Sequence, residues 1–274
     1  MVDADFRDFS SLHAVTTYCP QVCCMSATIR PGTVAVLADK IGRVSFSESI
    51  ALSPERASLS LHLVVTSEVR DFIVQNLQTQ PRRERAIIFC LYKNNVSHVV
   101  RLLKSSGIHR EIFECVSGKS SDCFAFNRSE SGIMVSTTVL AAGVSFNNVT
   151  RIFFQDGSHG PEVFLQGAGR GARADGQQCD VFLVTSKQQL DFLMDIPKCA
   201  SASSMAKFCK NCFENGLHFG RELYRLFDHD GIKEVAGDKR SRNPDLFAED
   251  SGQLAPSSRI QLFGQQPCTF QVCW

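Results

Sequence analysis

Apolar positions along the chain fall into two alternating patterns. Ala86-Ile87-Ile88-Phe89-Cys90-Leu91 is a continuous apolar run, the signature of a strand buried on both faces. Shorter runs of the same kind predict strands at 111–116, 132–136, 149–154 and 179–185. Between them, apolar residues recur at helical spacing. Val69, Phe72, Ile73 and Leu77 form one face behind Ser67, a plausible N-cap. Val96, Val99, Val100 and Leu103 form another, which Gly107 closes, and Pro161 opens a further helix. Buried strands alternating with helices predict an α/β fold around a parallel sheet.

The flanks are less regular. Residues 14–25 include an apolar stretch, and Pro31 opens a helix with Val34, Leu37 and Ile41 that Gly42 ends. Residues 43–66 read as a connector with an extended segment, Leu59 to Val65. After about residue 196 the pattern decays: 197–215 are rich in Ser, Cys and Lys, and 236–261 are polar with Pro, Gly, Asp and Ser. That composition predicts a tail without a packed core.

Composition changes the picture in three ways. A chain of 274 residues with 43% hydrophobic and 21% charged residues is not disordered throughout. Lys+Arg 29 against Asp+Glu 28 leaves a formal net charge of +1, so nucleic-acid binding would have to come from a local arrangement. Twelve cysteines stand in a chain whose start, with Asp3, Asp5, Arg7 and Asp8, lacks an apolar signal core, so reduced thiols are expected. The central apolar run, Ala86 to Tyr92, is far shorter than the roughly 20 residues a bilayer span needs, and no membrane partner is expected.

Two segments invite a phosphate-site reading. Ser117-Gly118-Lys119-Ser120 contains the Gly-Lys-Ser end of a P-loop, but the position that needs the leading glycine is Phe113. A phosphotransferase built on Lys119 is therefore the weakest alternative. Asp156 ends an apolar strand and could hold Mg²⁺, yet with Gly157 after it a strand-end turn is the better reading.

More informative is Gln166-Gly167-Ala168-Gly169-Arg170-Gly171-Ala172-Arg173. Arg170 and Arg173 on one helical turn would project to nearly the same side, and the glycines would let a phosphate approach. Convergent guanidiniums suit a polyphosphate. Upstream, the strand at Val135 runs into Ser136, Thr137 and Thr138, then a small-residue segment with Gly143 and Ser145. Hydroxyls at a strand's C-terminal edge are where α/β proteins bind ligands.

In this order and spacing the motifs resemble superfamily 2 helicases, most closely the RecQ-like branch. Ser26-Ala27-Thr28 is similar to motif III, the Ala86 strand to the region of motif IV, Val135–Val149 to motif V, and Gln166–Arg173 to motif VI. The resemblance implies a RecA-like lobe of the P-loop NTPase type. Residues 1–42 would be the end of a first lobe, 43–66 a connector, 67–195 the second lobe or helicase C-terminal domain, and 196–274 an irregular Cys-containing tail. It implies ATP with Mg²⁺, DNA (single-stranded or 3′-tailed) as partner, 3′–5′ unwinding and a nuclear location. Arg173 would be the arginine finger, with Arg170 and Gln166 beside it. Gly143 and Ser145 would lie near the nucleotide, Ser145 standing where the family usually has Asp or Asn. Thr137 and Thr138 would touch the nucleic-acid backbone, and Ser26, Ala27 and Thr28 would couple hydrolysis to lobe motion.

On this reading the arginines share a groove with Thr137 and Ser145. The P-loop lysine and Mg²⁺-binding acid belong to a first lobe, supplied in trans, so the chain alone is not expected to turn over ATP. A non-catalytic nucleic-acid-binding or regulatory fragment is the alternative. RecQ-like proteins also often carry a zinc site after the second lobe, for which Cys199, Cys209, Cys212 and His218 are an incomplete candidate set.

Overall fold

The computed structural model describes residues 23–26, 28–40, 53–116, 121–137, 146–196, 200–228 and 271–273. In chain order the elements begin β1 (Cys23–Met25), α1 (Thr33–Lys40), β2 (Leu59–Val65), α2 (Val69–Thr79), β3 (Arg85–Cys90) and α3 (Lys93–Ser105). Then come β4 (Ile112–Cys115), α4 (Ser121–Arg128), β5 (Gly132–Thr137), β6 (Val149–Gln155) and α5 (Pro161–Ala168). The last are β7 (Cys179–Thr185), α6 (Lys187–Met194), α7 (Ala200–Glu214), α8 (Phe219–Arg225) and β8 (Gln271–Cys273). The chain divides into two units, one of residues 1–53 with 228–274 and the other of 54–227. In the first unit β1 pairs in parallel with β8.

The second unit is built on six parallel strands in the order β2-β7-β6-β3-β5-β4. All six residues of β3 are buried, as the apolar run requires. Side chains alternate between faces. Ala86, Ile88 and Cys90 meet Val69, Ile73 and Leu77 of α2 and Val96 and Leu103 of α3. Ile87 and Phe89 point the other way, into a cluster with Phe126 of α4, Phe164 of α5, Leu190 of α6, Met205 of α7 and Leu223 of α8. Helices therefore cover both faces, as an all-parallel sheet demands.

Three expectations change. The N-cap of α2 is Glu68, not Ser67, and its own N–H is taken by Thr66 Oγ1 at 3.1 Å. Leu59–Val65 is not connector: it is the end strand of the sheet, in register with β7 from Leu59↔Cys179 to Val65↔Thr185. Residues 200–225, expected to be irregular, form α7 and α8. Ala202, Met205, Ala206, Cys209 and Cys212 line the buried face of α7 at helical spacing. Phe219 of α8 sits edge-on to Phe164 at 5.6 Å and tilted against Phe208 at 5.8 Å. These helices pack into the same cluster as Leu61 and Val181.

No helix among the described residues is long and apolar enough to cross a membrane. Ser117–Ser120, with Lys119, lie outside the described residues.

Phe219→Ala should lower the unfolding free energy by about 3–5 kcal/mol in a urea titration. An unpacked tail at this position would leave the midpoint unmoved.

Candidate functional site

Pro161 occupies the first turn of α5, where its missing N–H costs nothing. The helix ends at Ala168, before either arginine. Gly169 N–H still reaches Leu165 O at 2.9 Å, but Arg170 N–H and Gly171 N–H turn to Gly167 O and Ala168 O, each at 3.0 Å. These are tight three-residue closures. Arg170 and Arg173 thus sit on the turn beyond the helix, not on a helical turn. Ala172 then takes φ +48°, and its N–H donates to Val149 O at 3.0 Å, the first residue of β6. Its carbonyl accepts Arg56 Nη2 at 2.7 Å. Arg173 Nε donates back to Gly169 O at 3.0 Å, placing a cation at the negative end of α5.

The glycines have a packing role rather than the ligand-approach role expected of them. A Cβ on Gly171 would lie 2.3 Å from Cys179 Sγ, and one on Gly167 would lie 2.6 Å from Phe154 Cζ. Both face inward. The turn can lie flat on the start of β7 only because Gly171 has no side chain.

Charge is concentrated here. Arg170 is 9% exposed, while Arg173 is exposed and Gln166 half-buried. Burial and then the nearby Arg173 hold the Arg170 guanidinium below its ordinary range. Burial and then Arg56 do the same to Arg173. Arginine remains charged at neutral pH regardless, so the turn gathers partly desolvated cations that a multivalent anion would stabilise. The donor set fits a polyphosphate. Arg56, missed in the sequence, stands far from the motif with no spacing that links it to Arg170.

Thr137 is not part of this cluster. It ends β5 in register with Cys90, which in turn faces Gln155, the last residue of β6. The arginine turn hangs from Val149, the first residue of that strand. The two are separated by roughly 20 Å along the strand direction, at opposite edges of the sheet. Among the described residues, Thr137 and the arginines therefore do not line the shared groove expected of them. Thr138, Gly143 and Ser145 lie outside the described residues, as does Ala27. Ser26 and Thr28 form a local turn, with Thr28 N–H donating to Ser26 Oγ at 3.3 Å. Asp156 is a turn residue with φ +66°, its N–H on Val184 O at 2.9 Å. Its carboxylate accepts Gln155 Nε2 at 3.1 Å, and burial raises its pKa against the opposing pull of Gln155 and Arg70.

Among the described residues the zinc set does not assemble. Cys209 and Cys212 face the core at 1% and 2% exposure. Burial pushes both thiols up, Cys212 to about 11, which opposes the thiolate a zinc ion needs. His218 caps α8, its Nδ1 accepting Arg221 N–H at 3.2 Å. Cys199 lies outside the described residues. Among the described residues no group of three His, Cys, Asp or Glu side chains is placed to share a metal ion.

Comparison with known proteins agrees with this architecture. Residues 68–175 match the helicase conserved C-terminal domain family. The DEAD-box ATP-dependent RNA helicase 13 of Arabidopsis thaliana is 31% identical over 162 residues, covering 56% of this chain and 19% of that protein. The ATP-dependent RNA helicase dbp3 of Aspergillus clavatus is 28% identical over 149 residues, covering 50% of this chain and 29% of that protein. The chain therefore spans less than a third of the length of either relative. The structure of Mss116p bound to ssRNA and AMP-PNP superposes with a TM-score of 0.50 at 22% identity, over 61% of this chain and 36% of that one. This likeness shows the fold: a RecA-like lobe. Residues 68–175 are thus similar to a helicase C-terminal domain. Both relatives are RNA helicases, and the RecQ-like, DNA-directed branch finds no support among them.

Two outcomes follow from this packing. Gly171→Ala should destabilise the domain by about 1–3 kcal/mol in chemical denaturation, because Cys179 cannot retreat without moving β7. Cys209 and Cys212 should resist iodoacetamide at pH 8 until the protein unfolds, and a zinc chelator should leave the thermal midpoint unchanged.

Proposed function

We propose that the chain supplies the second motor lobe of an ATP-dependent RNA helicase, with ATP gripped between it and a first lobe. The observation that carries this reading is the turn Gly169–Arg173, which fixes two arginines at the N-terminal edge of the sheet. Arg170 and Arg173 would hold the terminal phosphates of ATP. When bound, the nucleotide supplies the phosphoryl group whose transfer to water drives the motor. Arg170, buried, sets the direction of approach; Arg173, exposed, reaches outward to the charge that grows during transfer. The Mg²⁺ ligands and phosphate-binding lysine would come from the first lobe. Asp156, the acid weighed for this role, stands at the opposite edge.

The separation of Thr137 from the arginines supports two ligands rather than one. A nucleotide and a nucleic-acid strand are different molecules and need no common groove. Thr137, at the C-terminal edge, would donate its hydroxyl to a strand phosphate, a contact that positions the strand without reading its bases. RNA is preferred over DNA because the relatives named above are RNA helicases.

With a first lobe from a DEAD-box relative supplied in trans, the chain should support RNA-stimulated ATP hydrolysis. Arg173→Ala should then lower kcat by about 10³-fold or more while single-strand RNA binding, read by fluorescence anisotropy, is unchanged. Thr137→Ala should weaken RNA binding and spare nucleotide binding. Hydrolysis indifferent to Arg173 would rule the reading out.

A further inference from the structure

Arg56 lies more than a hundred residues from the arginine motif, yet its side chain reaches the centre of it. Nη2 donates to Ala172 O at 2.7 Å and to Ser58 Oγ at 3.3 Å. Ala172 is the alanine at φ +48°, a conformation that L-residues with a Cβ adopt at a cost. Its N–H is already committed to Val149 O. The bond from Arg56 fixes the other side of the same residue. With both its amide hydrogen and its carbonyl held, Ala172 cannot relax, and the next residue, Arg173, leaves the turn in one direction.

The base from which Arg56 reaches is itself anchored. Arg56 O accepts Leu59 N–H at 2.9 Å, and Ser58 O accepts Cys179 N–H at 2.9 Å, where β2 and β7 begin side by side. The phenol of Tyr224 on α8 lies near the Arg56 main chain without a hydrogen bond to it. One turn earlier on α8, Gly220 lies so close to β2 that an added Cβ would stand 3.3 Å from Leu61 Cβ. Both supports, the end strand and α8, lie outside the span 67–195 that the sequence pattern predicts for the domain.

We infer that Arg56 is a positioning residue for the phosphate-binding arginines: its hydrogen bond to Ala172 O holds the turn in the shape that aims Arg173. The inference rests on the phosphate reading of that turn. It assigns Arg56 a role through geometry, not through direct contact with the anion. A neutral side chain that still offers an N–H to Ala172 O should therefore substitute for it, whereas a side chain without a donor should not.

The test is isothermal titration calorimetry of the full chain with inorganic triphosphate, each variant first matched to wild type by thermal melting and far-ultraviolet circular dichroism. Arg173→Ala should weaken binding about tenfold or more, the scale of a lost hydrogen bond to a charged group. Arg56→Ala should weaken it to a similar extent. Arg56→citrulline, which keeps the length and the terminal N–H donor without the charge, should restore affinity to within about threefold of wild type. Arg56→Ala combined with Arg173→Ala should bind no more weakly than Arg173→Ala alone. Wild-type affinity in Arg56→Ala, with Arg173→Ala impaired, overturns the positioning role and leaves the phosphate reading standing. Loss in Arg56→citrulline equal to that in Arg56→Ala also overturns it, by showing that charge is what matters. Wild-type affinity in Arg173→Ala overturns the phosphate reading and this inference together.

Discussion

The peptide units on either side of Ala172 are where fold and chemistry meet. An alanine at positive φ is unfavourable by on the order of 1 kcal/mol, and it persists because its surroundings determine it from both sides. Val149 takes the N–H, Arg56 the carbonyl, and the preceding Gly171 lies flat on Cys179 with no room for a methyl group. Each contact needs the others. If the glycine could not approach β7, the alanine would not reach β6. If the alanine were not held, the arginine after it would have no fixed origin.

Because every strand of the sheet runs the same way, its two edges are chemically unlike. Strands start at one edge and end at the other, and the motif residues sort between them. The arginine turn hangs from the starting edge, Thr137 stands at the finishing edge, and an apolar core fills the interval. Aromatic rings make up much of that core. Phe89 stacks on Phe154 at 4.9 Å, Phe154 tilts on Phe164 at 4.5 Å, and Phe164 meets Phe219 edge-on. The chain of rings passes from the middle of the sheet through α5 to α8. The helices at the end of the unit thereby share one packed body with the central strands.

The strands were easy to read because a parallel strand covered on both faces leaves an unbroken apolar run, as at Ala86–Leu91. The motif at Gln166–Arg173 was equally plain, being a cluster of rare neighbours. What went unread had no such contrast. The buried stripe of α7 is Ala202, Met205, Ala206, Cys209 and Cys212, small or sulfur-bearing residues set among serines and lysines. Its period is present, but its hydrophobicity is too low to show against a tail of that composition, and its cysteines are as compatible with metal binding as with packing. Arg56 carried no signal at all. It lies in a stretch with no regular pattern, and only the parallel pairing of β2 with β7 brings it beside Ala172. The glycines are plain in the sequence, but their packing role is not. Sequence shows that a side chain is absent, not which neighbour has taken its place.

The contact between α8 and β2 has a mechanical consequence. The chain enters this unit just before β2 and leaves it just after α8, so the way in and the way out lie against each other, at Leu61 with Gly220 and at Arg56 with Tyr224. A pull between the flanking segments is borne by that short seam before it reaches the interior of the sheet. The first side chain to feel such tension would be the one that sets the aim of Arg173.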